Sequence, residues 1–191
     1  MKICSFFGHR YTPQTDELKE KVREVVERLI LEENVDTFLF GSRSKFDELC
    51  HIVVTELKEK HPHIRRIAYL CKHETACLVG AGMELKRKIK EITGRDTYVP
   101  EYEEIKKSDR VNSAGRASYI VRNQDLINES NYCVFYYNLE YQPPQCKQVR
   151  RGICTYQLKS GTRAAYEYAK NRLRADFLIQ ITNIENFIKR E

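Results

Sequence analysis

Ile3-Cys4-Ser5-Phe6-Phe7-Gly8-His9-Arg10 decides how this chain is read. A short apolar run breaks abruptly into Gly-His-Arg. Leu18, Val22, Val25, Val26, Leu29 and Ile30 then recur at helical spacing. The pattern predicts a strand over 2–7 and a helix over 13–32, with Pro13 in its first turn. The strand thus delivers a glycine and two side chains able to carry positive charge to one spot. In open α/β sheets, ligands bind just outside the carboxyl ends of the strands.

Working outward, the same unit repeats. A strand over 35–40 ends in Gly41-Ser42-Arg43-Ser44, and a helix over 46–60 follows with Phe46, Leu49, Cys50, Val53, Val54 and Leu57 on its apolar face. A strand over 64–70 runs out into Cys71-Lys72-His73. Strands alternating with helices through short connections predict an α/β fold. It is Rossmann-like and doubly wound: a mostly parallel sheet with helices on both faces and right-handed crossovers. If strand order reverses between the first and fourth strands, a crevice opens there.

Beyond Cys71 the pattern changes. A basic amphipathic helix is expected over 76–92 and a short strand over 96–99, while 100–110 is charged and poorly periodic. In the segment from Ala117 to Ser130, residues Tyr119, Ile120, Asn123, Leu126 and Ile127 share one helical face. That places Asn123 on or beside a buried stripe and Arg122 one step off it. A strand over 132–137, a helix over 162–173, a strand over 176–181 and a helix over 183–190 complete the reading. At 191 residues, one domain over 1–191 is expected, with insertions at about 72–115 and 139–159.

Composition bounds the function. No apolar run reaches about 18 residues, so no membrane span is expected. The start carries no signal-peptide pattern, and a cytoplasmic location is expected. Lys and Arg exceed Asp and Glu, 33 to 27. That excess suits an anionic small molecule or weak nucleic-acid contact. Part of it lies in Lys147, Arg150, Arg151 and Lys159, a run without acids that reads as a solvated loop or a nucleic-acid contact. The seven cysteines are expected reduced, with Cys4 and Cys133 acting as small core hydrophobes. Cys71, His73 and Cys77 lack a fourth ligand at a zinc-site spacing, so neither a metal nor a cofactor is expected.

Three strand exits can share one site. At the first, Gly8 permits close backbone approach, Arg10 can pair with phosphate, and His9 is a polar contact or proton carrier. The alternative is a plain turn with a surface cation. At the second, Gly41, Ser42, Arg43 and Ser44 precede a helix N-terminus, the arrangement that binds anions, and Asp47 can accept from ribose hydroxyls. Equally, Ser44 can simply cap the helix, with Asp47 favouring its dipole. At the third, Ser160, Gly161 and Thr162 open a helix, as an anion site or as an ordinary cap.

With these residues in hand, the chain resembles the SLOG superfamily, and within it the YpsA-like branch, over about residues 3–181. Phe7-Gly8-His9-Arg10 is similar to that branch's opening, and Gly41 to Asp47 resembles its Gly-Gly-Ala-x-Gly-x-Asp turn. Leu70-Cys71-Lys72 looks like its third-strand exit. Arg122-Asn123-Gln124, with Asn128 and Ser130, is similar to its Arg-Asn helix. Gly161-Thr162 is similar to its Gly-Gly-Thr turn, with Tyr168-Ala169 beyond. The resemblance implies a Rossmann-like domain that binds a nucleotide or nucleotide-derived ligand, as sensor or regulator, with self-association into an oligomer as a further expectation. On that reading Cys71 and Lys72 stand at the rim, and Arg122 and Asn123 bridge to the ligand or fix the loops.

Relatives also include phosphoribohydrolases and DprA-type DNA-binding proteins. The two alternatives are therefore N-glycosidic hydrolysis, with His9, Asp47 or Glu48 as acid or base, and nucleic-acid binding through the basic insertion. Departures weigh on the hydrolase. Ser42, Arg43 and Lys45 replace small residues in the second turn, and Ser160 replaces a glycine in the third. Ala165 stands where the hydrolases carry glutamate, and Glu167 is about 200° further round the helix.

Overall fold

The structure is a computed structural model and describes residues 1–41, 44–72, 74–110, 116–140, 160–174 and 180–184. Its main sheet has six strands, all parallel, in the order β6-β3-β2-β1-β7-β8. These are β1 (Ile3–Gly8), β2 (Thr37–Phe40), β3 (Arg65–Leu70), β6 (Glu104–Lys107), β7 (Tyr132–Tyr136) and β8 (Gln180–Asn183). A separate two-stranded ladder pairs β4 (Cys77–Leu78) with β5 (Glu101–Tyr102). The helices are α1 (Asp16–Leu31), α2 (Lys45–Lys60), α3 (Gly82–Thr93), α4 (Arg116–Glu129) and α5 (Gly161–Arg174).

β1 is the hinge of the topology. It has β2 on one side and β7 on the other, so the strand order reverses at β1. Its side chains alternate between two cores, as the period of a strand requires. Cys4 and Phe6 join the apolar faces of α1 and α2. Phe6 stacks on Phe38 and Phe40. Ile3 and Phe7 point the other way, toward Leu126, Ile127, Ala165 and Ala169 of α4 and α5. The sheet is therefore covered on both faces, as a doubly wound parallel sheet must be.

Local chemistry sets the boundaries. Thr15 caps α1 by accepting from the Leu18 N–H at 3.2 Å. Pro13 consequently lies ahead of the helix rather than inside it. Ser44 caps α2 in the same way, accepting from the Asp47 N–H at 3.1 Å. The stretch expected as one helix over 76–92 divides into β4 and α3, with Gly80 at φ +88° between them. Glycine adopts that left-handed backbone without strain.

The charged stretch near 100–110 holds β5 and β6, and the strand expected over 96–99 does not form. β6 is an edge strand, and its Glu104 pairs with Arg65 of β3 at 2.8 Å. Edge strands are commonly charged, which protects them from unwanted pairing but hides them from apolar patterning. Arg66 secures the turn before β6. Its guanidinium meets Glu103 at 2.6 Å and Thr55 at 2.8 Å. Burial works against the Glu103 charge, but the Arg66 hydrogen bonds win and hold its carboxyl below the ordinary range. Among the described residues, no helix is long and apolar enough to cross a membrane.

Candidate ligand cavity at the carboxyl ends of the second and third strands

A cavity of about 320 Å³ opens where β2 and β3 end, with Phe40, Gly41 and Leu70 at its base. Ser44, Asp47, Glu48 and His51 form one wall. These positions of α2 fall on one helical face by the 3.6-residue period. The opposite wall carries Glu74, Cys77 and Tyr98.

His51 ties the two walls together. Its Nε2–H donates to the Glu101 carbonyl at 3.0 Å. Nδ1 is then the acceptor of a neutral ring and accepts a hydrogen bond from the Tyr98 hydroxyl. Burial, aided by the nearby Arg66 charge, pushes the His51 pKa down to about 3. Glu74 is fixed from behind. Its Oε2 accepts from the Cys71 N–H at 2.8 Å and faces Arg122 Nη1 at 3.4 Å. Both side chains of that ion pair are 3% exposed.

The residues singled out in the sequence separate into two groups. Gly41, Asp47 and Glu48 line the cavity; Gly8, His9, Arg10, Cys71, Lys72, Arg122, Asn123, Ser160, Gly161 and Thr162 do not. Ser42, Arg43, His73 and the basic run Lys147 to Lys159 lie outside the described residues.

Gly8 serves packing. A methyl group there would run into Phe46 Cβ, Cγ and Cδ1. Gly41 is equally tight, since an added Cβ would stand 2.7 Å from the Tyr69 carbonyl and 2.8 Å from Leu126 Cδ1. His9 is 2% exposed and accepts from the Asn138 N–H at 3.1 Å through Nε2. Burial pushes its pKa down to about 4, so at neutral pH it is an uncharged tie between β1 and the segment after β7, not a cation. Arg10 is exposed.

Cys71 is fully buried rather than at a rim, and Lys72 is exposed. Arg122, expected one step off the buried stripe of α4, is inside it, while Asn123 is only half-buried. The two helix starts behave as caps. The Lys45 N–H donates to the Arg10 carbonyl at 3.2 Å, and the Asp47 N–H is taken by Ser44. Ser160 Oγ likewise accepts from the Arg163 N–H at 3.0 Å. Ala165 sits in the core, and Glu167 pairs with Arg163 at 2.8 Å in the open.

His51, Glu74, Cys77 and Tyr98 were not singled out as ligand contacts. His51 had one legible signal, its spacing four residues beyond Asp47 on the same helical face. The sequence offered Cys77 only as a zinc ligand, and Glu74 and Tyr98 carried no signal, because a long-range fold brings their segments to α2. Among the described residues, no group of three or more His, Cys, Asp or Glu is placed to hold a metal ion.

The two buried neutral histidines make stability depend on pH. An unfolded imidazole titrates near about 6.5. The folded rings resist protonation until about 4 at His9 and about 3 at His51. The stabilisation is complete above the unfolded pKa and is lost as pH falls from there toward the folded values. Each ring should cost about 2 kcal/mol of stability between pH 7 and 5. Urea unfolding at the two pH values measures the loss, and His51→Gln should flatten the slope. Equal stability at both pH values would contradict the burial of these rings.

Neither a protein-family model nor a curated protein matches this chain.

Proposed function

We propose that this chain is a cytosolic domain that binds a nucleotide-derived small molecule, as sensor or regulator, in the cavity at the carboxyl ends of β2 and β3. The observation that carries the reading is the position and lining of that cavity. It lies at the carboxyl edge of the sheet, the side on which open α/β folds take ligands, though at the exits of β2 and β3 and not at the β1 switch point where the strand order reverses. Carboxylates of Asp47, Glu48 and Glu74 stand beside the aromatic rings of Phe40, Tyr98 and Tyr102. Aromatic rings suit a base, and carboxylates accept from ribose hydroxyls.

The test is a thermal-shift panel of nucleosides, nucleoside monophosphates, NAD, ADP-ribose and cyclic derivatives. A binder at about 100 times its dissociation constant adds about 2.7 kcal/mol. For a chain of this size that raises Tm by about 5–10 °C. No shift across the panel would overturn the reading.

The hydrolase alternative keeps one supporting observation, the placement of Asp47 and Glu48 in the same cavity. Carboxylates beside a ribose stabilise an oxocarbenium-like state. Release of free base from a nucleoside monophosphate would favour it over binding alone.

A further inference from the structure

We propose that α3 and the loop after it, residues 81–98, form a lid that swings as one body and gates the cavity, with the Tyr98–His51 hydrogen bond as its latch. The inference concerns access to the cavity and does not depend on which ligand enters.

The roots of the lid are fixed. Before it, Glu74 is held by Arg122 and by the Cys71 N–H. After it, Arg66 grips Glu103, and the Tyr102 ring packs on Phe40 and His51. β4 and β5 pair between these roots, and the Val79 N–H donates to the Tyr102 carbonyl at 3.0 Å. These parts belong to the body.

The lid differs from them in burial. Gly82 is the one buried residue of α3, and Gly94 to Thr97 are exposed. The ion pairs Lys88–Glu84 at 2.7 Å and Lys90–Asp96 at 3.0 Å lie within the lid and travel with it. Segments that bury little open at free energies well below that of global unfolding. One pivot is Gly80, at φ +88° with nothing within 4 Å of an added Cβ. The other is where the half-buried Tyr98 meets the buried Val99.

The lid is seated at two places. The Tyr98 hydroxyl donates to His51 Nδ1, whose ring is held in place by the Glu101 carbonyl at 3.0 Å. The start of α3 rests on the Glu101 side chain through Gly82, where an added Cβ would meet the carboxylate. Lys86, exposed, also pairs with Glu101 at 3.1 Å, and a surface pair of this kind holds weakly. Tyr98 lines the cavity. When the lid swings, that part of the wall leaves with it.

The experiment places spin labels at Ile92→Cys in the lid and Glu59→Cys in α2, both exposed. Cys77, Cys146 and Cys154 are replaced by serine in the labelled protein. Pulsed dipolar spectroscopy then reads the distance distribution, which should hold a closed and a longer, open population. Tyr98→Phe keeps the ring and removes the latch, and it should raise the open-to-closed ratio about fivefold, the worth of one hydrogen bond. Gly82→Ala should raise it as well. Alanine favours helix, so opening caused by that change is not melting of α3. A control pair at Arg28→Cys in α1 and Glu59→Cys should not move.

Gating is read separately on the chain with its native cysteines. Cys77 lines the cavity and is partly exposed. Its labelling by a bulky maleimide, followed by peptide mass spectrometry, should speed up in both variants by the same factor as the open population. A distance distribution unchanged by Tyr98→Phe, or one that changes together with the α1–α2 control, would overturn the lid. Opening without faster labelling of Cys77 would overturn the gating.

Discussion

Arg122→Met is expected to destabilise the protein by about 3 kcal/mol, the lower end of what losing one member of a buried ion pair costs. The guanidinium and the Glu74 carboxylate are each 3% exposed, so water cannot replace the lost partner. The Cys71 N–H remains on Glu74 Oε2 at 2.8 Å, which keeps the loss from the upper end. Arg122 also stacks on Tyr119 at 4.9 Å and donates to the Asn123 side chain at 3.2 Å. A methionine retains some of that packing, which isolates the charge.

The diagnostic variant is Glu74→Gln in the Arg122→Met background. An amide no longer needs a cation, so the double variant should be more stable than the sum of the single changes predicts. A double-mutant cycle from urea unfolding measures that coupling. A loss below about 1 kcal/mol for Arg122→Met would mean that the pair does not hold the cavity wall.

Gly8→Ala should cost about 3 kcal/mol, at the severe end of overpacking, and can prevent folding altogether. The obstacle is Phe46 Cβ, which is set by the α2 backbone. A shorter side chain at 46 therefore gives no relief, because any residue except glycine keeps that carbon. Phe46 is fully buried and stacks on Tyr136 at 5.6 Å, so α2 cannot shift cheaply. Gly161→Ala is the control. Nothing lies within 4 Å of a Cβ at that position, at the start of α5. It should be neutral or stabilising by about 0.4–1 kcal/mol through the unfolded chain. Chemical unfolding of both variants makes the comparison. Equal stabilities would show that Gly8 is not a packing glycine.

The parts that were legible in the sequence share a physical cause. The alternation in β1 and the apolar faces of α1 and α2 are periodic within one segment, and periodicity survives without tertiary information. The Ser44 cap is readable for the same reason, since donor and acceptor are three residues apart. β6 was not legible, because an edge strand half-exposed and rich in Glu and Lys carries no apolar alternation. Nor was the burial of Arg122. A guanidinium off an apolar stripe reads as a surface group until Glu74, 48 residues away in sequence, is brought beneath it.

The two glycines show where local reading stops. Gly8 and Gly41 stand at strand exits, and their motif context marks them as places where a ligand approaches the backbone. In the fold the approach is made by Phe46 at one and by Tyr69, Leu126 and Arg122 at the other. A missing side chain signals a close neighbour in sequence terms, but only three-dimensional packing says which neighbour.

What the sequence by itself determined is the class of fold and the edge of the sheet to examine: repeated strand-then-helix units with small residues at each strand exit, whose order and periodicity are local properties of the chain. Tertiary structure alone decided which exit holds the cavity and which distant side chains meet there. That depended on the strand order, on the 98–102 segment clamping onto His51, and on Arg122 being drawn behind Glu74. The reason is that a cavity's walls are built from groups far apart in sequence that burial forces to satisfy one another.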